Sequence, residues 1–378
     1  MAEYPTIRGV EAIPIEIRGE KEFAISEGQT RTHKSVIVSI VTEDPNIVGV
    51  AEIVCAPPGK PEEIQHEICG ALKTIVESAL IGNSAADTVS AQRVINEQIK
   101  GKVWTKGGLN VALNDLRARA LGVSCMSMFG VHNKDTRVPV IGSVIGIMQP
   151  DKMAERAKEL LDLGFSTLKI KVGRDVISDF ERVRCVREAV GGSVNIRVDA
   201  NDHYSPEEAI RLINKIEHFN IEHVEQPISR RDILGMSEVK KAVHVPLMTD
   251  DMVSTPFDAM NVIRLNAADR VKVKVTKHGF DGAVQIISML AAAGKRAVIG
   301  HVFETGLAAV AEAHLAMLFP DVVGPHEIGS LEPLGCSDNL LLESPYRNQG
   351  YITIPEGFGL GVSINWERVE EYRVNLSY

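Results

Sequence analysis

The stretch Thr167-Leu-Lys-Ile-Lys-Val172 is a short apolar, β-branched run that delivers two lysines at its end. The pattern returns at gaps of about 25 residues as Asn195-Ile-Arg-Val-Asp-Ala200, Ile221-Glu-His-Val-Glu-Gln226, Val245-Pro-Leu-Met-Thr-Asp250 and Arg270-Val-Lys-Val-Lys-Val275. Each run reads as a buried strand with charge at its C-terminal end. The intervening text, such as MAERAKELLDLG from Met153 and SPEEAIRLINKIEHF from Ser205, has the period of an amphipathic helix. Strand and helix therefore alternate, and repeated βα units of this length close parallel strands into a barrel whose C-terminal rim holds the active site. Eight barrel strands are expected near residues 138–144, 167–172, 195–199, 221–225, 245–249, 269–274, 296–300 and 322–327.

Working outward, the chain divides into three. Residues 1–137 open with strand-like VEAIPIEI and SVIVSIVTED and turn helical, forming an α+β unit. The α/β barrel occupies 138–328, and 329–378 is a loop-rich tail with one hairpin-like segment that returns to the N-terminal unit. At 378 residues the chain exceeds what one core usually supports, which fits a barrel plus a second domain. A net charge of −9 without a basic run excludes a nucleic-acid partner and favours a small molecule. Five scattered cysteines, with no Cys-x-x-Cys, suggest neither a disulfide framework nor structural zinc, and point to a reducing cytoplasm. The acidic N-terminus is unlike a signal peptide, and no apolar run has the length of a membrane span.

The charged strand ends carry the chemistry. Singly, an Asp before a helix reads as an N-cap and a strand Lys as a solvated side chain. Together they read otherwise: Asp199, Glu225 and Asp250 end successive parallel strands, and neighbouring strand ends lie about 5 Å apart. Carboxylates that close repel unless a cation joins them. Oxygen donors without His or Cys select Mg²⁺, with Mn²⁺ as the alternative, over zinc. Lys171 and Lys274 then face each other across the barrel mouth as an acid/base pair, because a protonated lysine is no metal ligand.

These motifs, Lys169-x-Lys171, Val198-Asp199-Ala-Asn201, Glu225-Gln-Pro227, Thr249-Asp250-Asp251 and Lys274-Val-Thr-Lys277-His-Gly279, resemble the enolase superfamily, specifically the muconate lactonizing enzyme subgroup of the mandelate racemase/muconate lactonizing enzyme family. The resemblance spans nearly the whole chain. It implies an enolase-like α+β capping domain, completed by the C-terminal tail, over a modified (β/α)7β barrel that binds Mg²⁺. It also implies that Lys171 and Lys274 are the acid/base pair, that Lys169 is their electrostatic helper, and that the protein is a homo-oligomer, dimer or octamer. The first chemical step would be removal of the proton next to a substrate carboxylate, since metal and Lys169 stabilise the enolate charge. Two lysines on opposite faces permit racemisation or epimerisation, and the expected activity is that of a racemase or epimerase of an amino-acid derivative or cyclic amino acid. A muconate-type cycloisomerase comes next, then a dehydratase of a β-hydroxy acid. Outside this chemistry stand a metal-dependent hydrolase, disfavoured because the strand ends lack His-x-His, and an inactive binding barrel, disfavoured because every expected position is filled.

Departures from relatives refine the reading. The mandelate racemase subgroup has Glu as third ligand and a His-Asp dyad, where this chain has Asp250 and Lys274. Dipeptide epimerases carry an Asp-x-Asp pair near the eighth strand, absent from Pro325-His-Glu327-Ile-Gly329. Glu327 or Glu304 is then the candidate to meet a substrate amine, and His301 the candidate to touch substrate or support Lys274. Asn201 is expected near the metal site and Asp251 in a hydrogen bond to a lysine. The family's substrate loops map to Ala24-Ile-Ser26-Glu27-Gly28 and Val54–Gly59, which offer no arginine for a second carboxylate.

Overall fold

In the computed structural model, all residues are described except 1–3, 56–62, 134, 320–321, 323, 337–339, 344–346, 349 and 377–378. The capping stretch Ala56–Gly59 therefore lies outside the described residues.

The N-terminal part is an antiparallel sheet, β1 (Ile7–Ile25), β2 (Gly28–Thr42) and β3 (Gly49–Val54), in that order. Helices α1 (Gln65–Ala71), α2 (Glu77–Leu80), α3 (Thr88–Gln98), α4 (Val103–Leu121) and α5 (Cys125–Met128) follow. Helix α4 is buried along most of its length because it lies between β3 and the barrel. Two adjacent glycines make that placement possible. A Cβ on Gly108 would stand 2.6 Å from Ile53 Cγ1, and one on Gly107 would stand 2.5 Å from the Thr276 carbonyl oxygen.

The barrel is built from β4 (Arg137–Pro139), α6 (Pro150–Asp162), β5 (Thr167–Lys171), α7 (Val176–Val190), β6 (Asn195–Asp199), α8 (Pro206–Ile216), β7 (Ile221–Glu225), α9 (Ile233–Ala242), β8 (Leu247–Thr249), α10 (Pro256–Arg264), β9 (Arg270–Val273), α11 (Val275–Ala292), β10 (Arg296–Ile299) and α12 (Gly306–Met317). Strands β5 to β10 form one parallel sheet in chain order. Local sequence starts the helices where the strands release the chain. Ser205 with Glu208, and Thr255 with Asp258, close reciprocal capping boxes before Pro206 and Pro256.

The expected first and last barrel strands are largely replaced by single bridges. Val140 pairs with His326 and Ile145 with Ile170, while β4 joins a different, antiparallel sheet with β11 (Arg347–Asn348) and β12 (Tyr351–Thr353). The physical reason lies in Pro139 and Pro325, which have no N–H to give a ladder, and in Gly142 and Gly146, which weaken a strand. The tail's hairpin thus joins the start of the barrel. Farther on, after α13 (Trp366–Glu371), the chain reaches β1: Glu16 N donates to Tyr372 O at 2.9 Å and Val374 N to Pro14 O at 3.0 Å.

Candidate active site

Alternation along each strand puts Lys169 and Lys171, Arg197 and Asp199, His223 and Glu225, and Lys272 and Lys274 on one face. Register then sets them side by side. Lys171 is paired with Asp199, and Asp199 with Glu225, at the C-terminal ends of β5, β6 and β7. Asp250 follows β8 and Lys274 follows β9, as the residue that starts α11.

The side chains form a continuous ionic floor. Lys169 Nζ contacts Glu225 Oε2 at 2.5 Å, Asp199 Oδ2 at 2.9 Å and Glu327 Oε2 at 2.9 Å. Lys171 Nζ donates to Asp199 Oδ2 and to Asn201 Oδ1, both at 2.7 Å. Lys274 Nζ lies 2.8 Å from Asp250, and Lys277 lies 3.4 Å from Asp251. Both of these lysines sit 5.8 Å from the centre of the Trp104 ring. Lys272, 2% exposed, reaches up from β9 to Glu225 Oε1 at 2.5 Å and Glu327 Oε2 at 2.8 Å. Its stem fills the space a side chain at residue 300 would need: a Cβ on Gly300 would be 2.5 Å from Lys272 Cδ.

Burial and charge divide the groups. Burial works to raise the Asp199 carboxyl, but Lys169, Lys171 and Lys272 outweigh it and hold it well below the usual range. Burial, with Asp199 adding to it, pushes Glu225 up to about 7 against Lys169 and Lys272. Lys169 stays above its ordinary value because Asp199, Glu225 and Glu327 outweigh its burial, whereas for Lys171 burial dominates and lowers it.

Three carboxylates, Asp199, Glu225 and Asp250, present hard oxygen donors on neighbouring strand ends, as a divalent cation of the Mg²⁺ kind requires. Asp250 Oδ1 is buried and accepts no well-angled hydrogen bond, although Lys274 Nζ is near. The residues present fit such an ion. A second group deeper in the barrel, His223, Glu225 and Glu327, also brings ligand atoms within 4.8 Å of one another. That group already meets Lys169, Lys272 and Arg197, so it is an ion-pair core in which a further cation would be repelled.

Above the floor is a cavity walled by Phe23, Ile25, Trp104, Val144 and Phe303 and floored by Lys169, Lys171, Asp199, Asp250, Lys272 and Lys274. Asn201, Asp251 and His301 also line it. Burial lowers His301 to about 3, so its ring is neutral, with Nδ1 turned to Val302 O. Ser26 does not line the cavity; its Oγ donates to Asn201 O at 2.8 Å and docks the β1–β2 turn on the rim. Two expectations need correction. Glu304 is turned away from the cavity, with Oε1 held by Thr276 Oγ1 and Val302 N. Glu327 faces the barrel interior, held by Lys169, Lys272 and Arg197. Neither can meet a substrate amine. Sequence reasoning missed Lys272, although its alternation with Lys274 in Arg270-Val-Lys-Val-Lys274 was the available signal. It also missed Trp104 and Phe23, which arrive from distant elements, and His278, whose Nδ1 accepts from Lys274 N at 3.1 Å.

Residues 12–130 match the model of the mandelate racemase/muconate lactonizing enzyme N-terminal domain, and residues 152–369 match the enolase C-terminal domain-like model. The chain belongs to the mandelate racemase/muconate lactonizing enzyme family. Within it, the chain is 30% identical over 356 residues to the D-Ala-D/L-Ala epimerase of Cytophaga hutchinsonii, covering 94% of this chain and 95% of the relative. It is 33% identical over 313 residues to the L-Ala-D/L-Glu epimerase of Bacillus subtilis, covering 81% and 84%. The crystal structure of the N-succinyl Arg/Lys racemase from Bacillus cereus superposes with a TM-score of 0.90 at 27% identity, covering 98% of each chain. Relatives of this family are epimerases, racemases and cycloisomerases, and this family member is an isomerase of the enolase superfamily.

Proposed function

We propose that the protein is a Mg²⁺-dependent racemase or epimerase that acts at the carbon next to a carboxylate, on an amino-acid derivative whose nitrogen is acylated. The observation that carries this reading is the pair Lys171 and Lys274, which line one cavity from strand ends separated by β6, β7 and β8. A proton taken by one lysine on one side of a flat carbon and returned by the other on the opposite side inverts the centre. Asp199, Glu225 and Asp250 would hold the ion, which when bound supplies Lewis-acid stabilisation of charge developing on the substrate carboxylate. Lys169 adds a fixed positive charge at the same place, kept protonated by its three acidic neighbours. Asn201 orients the Lys171 ammonium, and His278 fixes the backbone from which Lys274 projects.

Substrate charge follows from the floor. Five lysines (169, 171, 272, 274 and 277) meet five acids (Asp199, Glu225, Asp250, Asp251 and Glu327) in direct ion pairs. A divalent cation added to that balance leaves surplus positive charge, which suits a net anion better than a zwitterion. Each acid that lines the cavity, Asp199, Asp250 and Asp251, already faces a lysine, so among the described residues no carboxylate is left for a substrate ammonium. An amide at that nitrogen carries no charge to satisfy, and the apolar wall of Phe23, Ile25, Trp104, Val144 and Phe303 receives an acyl group or apolar side chain. No arginine lines the cavity among the described residues, which disfavours a dicarboxylate such as muconate.

A polarimetric panel with Mg²⁺ tests this, comparing N-acetyl and N-succinyl amino acids, free dipeptides, proline and its derivatives, and muconate. Loss of optical rotation with the N-acetyl amino acids, ahead of the dicarboxylate N-succinyl series, abolished by chelation and restored by Mg²⁺, is the expected result. Turnover confined to free cyclic amino acids would overturn the acylated-nitrogen assignment, and turnover confined to free dipeptides, whose C-terminal nitrogen is itself acylated, would overturn the absence of a site for a substrate ammonium.

A further inference from the structure

Behind the cavity wall two carboxyls meet, and among the described residues no cation is paired to either. Glu304 lies in the loop after β10, whose preceding residues His301, Val302 and Phe303 line the cavity. Glu312 stands in the middle of α12, Gly-Leu-Ala-Ala-Val-Ala-Glu-Ala-His-Leu-Ala-Met, a helix otherwise almost wholly apolar. Both are 0% exposed.

Each carboxyl has one satisfied oxygen. Glu304 Oε1 accepts from Thr276 Oγ1 at 3.1 Å and from Val302 N at 3.2 Å, and Glu312 Oε2 accepts from Gly329 N at 3.1 Å. The other two oxygens, Glu304 Oε2 and Glu312 Oε1, are buried and receive no donor. The two side chains meet at Gly329, where a Cβ would stand 2.6 Å from Glu304 Oε2 and whose N–H donates to Glu312 Oε2, and each carboxyl acts on the ionisation of the other. Ionised carboxylates only accept, so two of them cannot satisfy one another. A proton held between the two orphaned oxygens satisfies both at once.

We propose that Glu304 and Glu312 are a proton-sharing carboxyl pair that positions the cavity wall at residues 301–303 and, through Thr276, the turn of α11 that begins at Lys274. This rests on the reading of Lys274 as an acid/base group only for its catalytic consequence; the shared proton rests on the two orphaned oxygens and the meeting of both carboxyls at Gly329. The charged groups around the pair support retention of the proton. Glu52 of β3 approaches from the cap side, held by Thr305 N at 2.9 Å, Thr305 Oγ1 at 2.7 Å and His33 at 2.7 Å. His33 and Thr305 outweigh the burial of Glu52 and keep it a carboxylate, a negative neighbour. Lys274 is the positive group that acts on Glu312, and His301, neutral, lies near Gly329 on the other side. Burial, with Glu52 adding to it, pushes Glu304 up to about 8 despite the hydrogen bond from Val302, and burial with Glu304 pushes Glu312 well above its ordinary value. The pair therefore titrates as a unit and keeps at least one proton at neutral pH.

The test needs three proteins: wild type, Glu312→Gln and Glu312→Ala. Infrared difference spectra between wild type and Glu312→Gln at neutral pH are expected to contain the C=O stretch of a protonated carboxyl; its absence overturns the shared proton whatever the substrate proves to be. Glutamine keeps a donor against Glu304 Oε2 and alanine does not. Glu312→Gln is therefore expected to keep substrate KM within about twofold, whereas Glu312→Ala raises it by about tenfold through the loosened wall. Equal losses in both variants overturn the positioning role. Urea stability gives a readout without substrate. An acid whose folded pKa is raised contributes stability that is fully present below its ordinary value near 4.5 and is lost as pH rises through the folded value of about 8, so wild type is expected to lose stability between pH about 4.5 and 8 and Glu312→Gln to lose less. Identical pH slopes contradict the pair.

Discussion

Lys272 shows how much one interior residue carries. It links Glu225, expected to hold the ion, to Glu327 at the barrel centre, and Lys169 links the same two acids from β5, closing a ring of two lysines and two glutamates. Removing Lys272 leaves two buried carboxylates, Glu225 and Glu327, to share the Lys169 ammonium, with Arg197 reaching only Glu327. Lys272→Met is therefore expected to lose about 3–5 kcal/mol of stability in a urea titration, the usual cost of breaking a buried pair by deleting one partner. A loss below about 1 kcal/mol, as for an exposed pair, would contradict the ring. The six rim residues, Lys169, Lys171, Asp199, Glu225, Asp250 and Lys274, were legible because a strand's period of two and the register between neighbours decide where such side chains point. Lys272 obeys the same period, yet two residues deeper it reads as ordinary strand text until Gly300 is seen making room for it. Glu304 and Glu327 were misread because a charge in a strand-end loop can turn outward to substrate or inward to a partner, and their inward partners come from other elements.

Among the elements, α4 and α11 set the precision of the site. Gly107 lets α4 approach the first turn of α11, directly after Lys274. A methyl there must push against the Thr276 and Lys277 carbonyls, which are backbone and cannot swing aside. Gly107→Ala is expected to cost about 1–3 kcal/mol as an overpacking substitution. Its effect on kcat is expected to be near 100-fold, because a shift of about 1 Å in a catalytic group has that consequence. Steady-state kinetics beside thermal unfolding checks it, and a variant with unchanged kcat would show that the approach does not position Lys274. The strands β5–β10 were readable from their apolar runs, whereas the barrel's closure was not. Around Pro139 and Pro325 the chain keeps the path of a strand without its ladder, and β4 instead pairs with a tail segment more than two hundred residues away in sequence.

Across the whole molecule, cap and barrel meet over the cavity. Arg230, on the loop after β7, contacts Glu27 of the β1–β2 turn at 2.5 Å, Asp202 of the loop after β6, and Asp251 at 3.6 Å. The turn it holds follows Ile25 at the end of β1, and β1 also carries Phe23, whose ring packs edge-on against Phe303 at 5.0 Å. Charge-assisted bonds of this kind contribute about 1.5–3 kcal/mol, so Arg230→Met is expected to raise KM by about 10- to 100-fold while leaving kcat within a few-fold. An unchanged KM in initial-rate kinetics would show that the turn is held without Arg230. No sequence pattern announces such a contact, because it joins residues about two hundred positions apart through the meeting of two domains. The most direct test of the central claim, two lysines on opposite sides of one carbon, is ¹H NMR of α-proton exchange in D₂O with Mg²⁺ and each enantiomer of an N-acyl amino acid, using wild type, Lys171→Ala and Lys274→Ala. The expected result is exchange with both enantiomers in wild type and loss of exchange with opposite enantiomers in the two variants. Loss of exchange with the same enantiomer in both, or full exchange without either lysine, would contradict it.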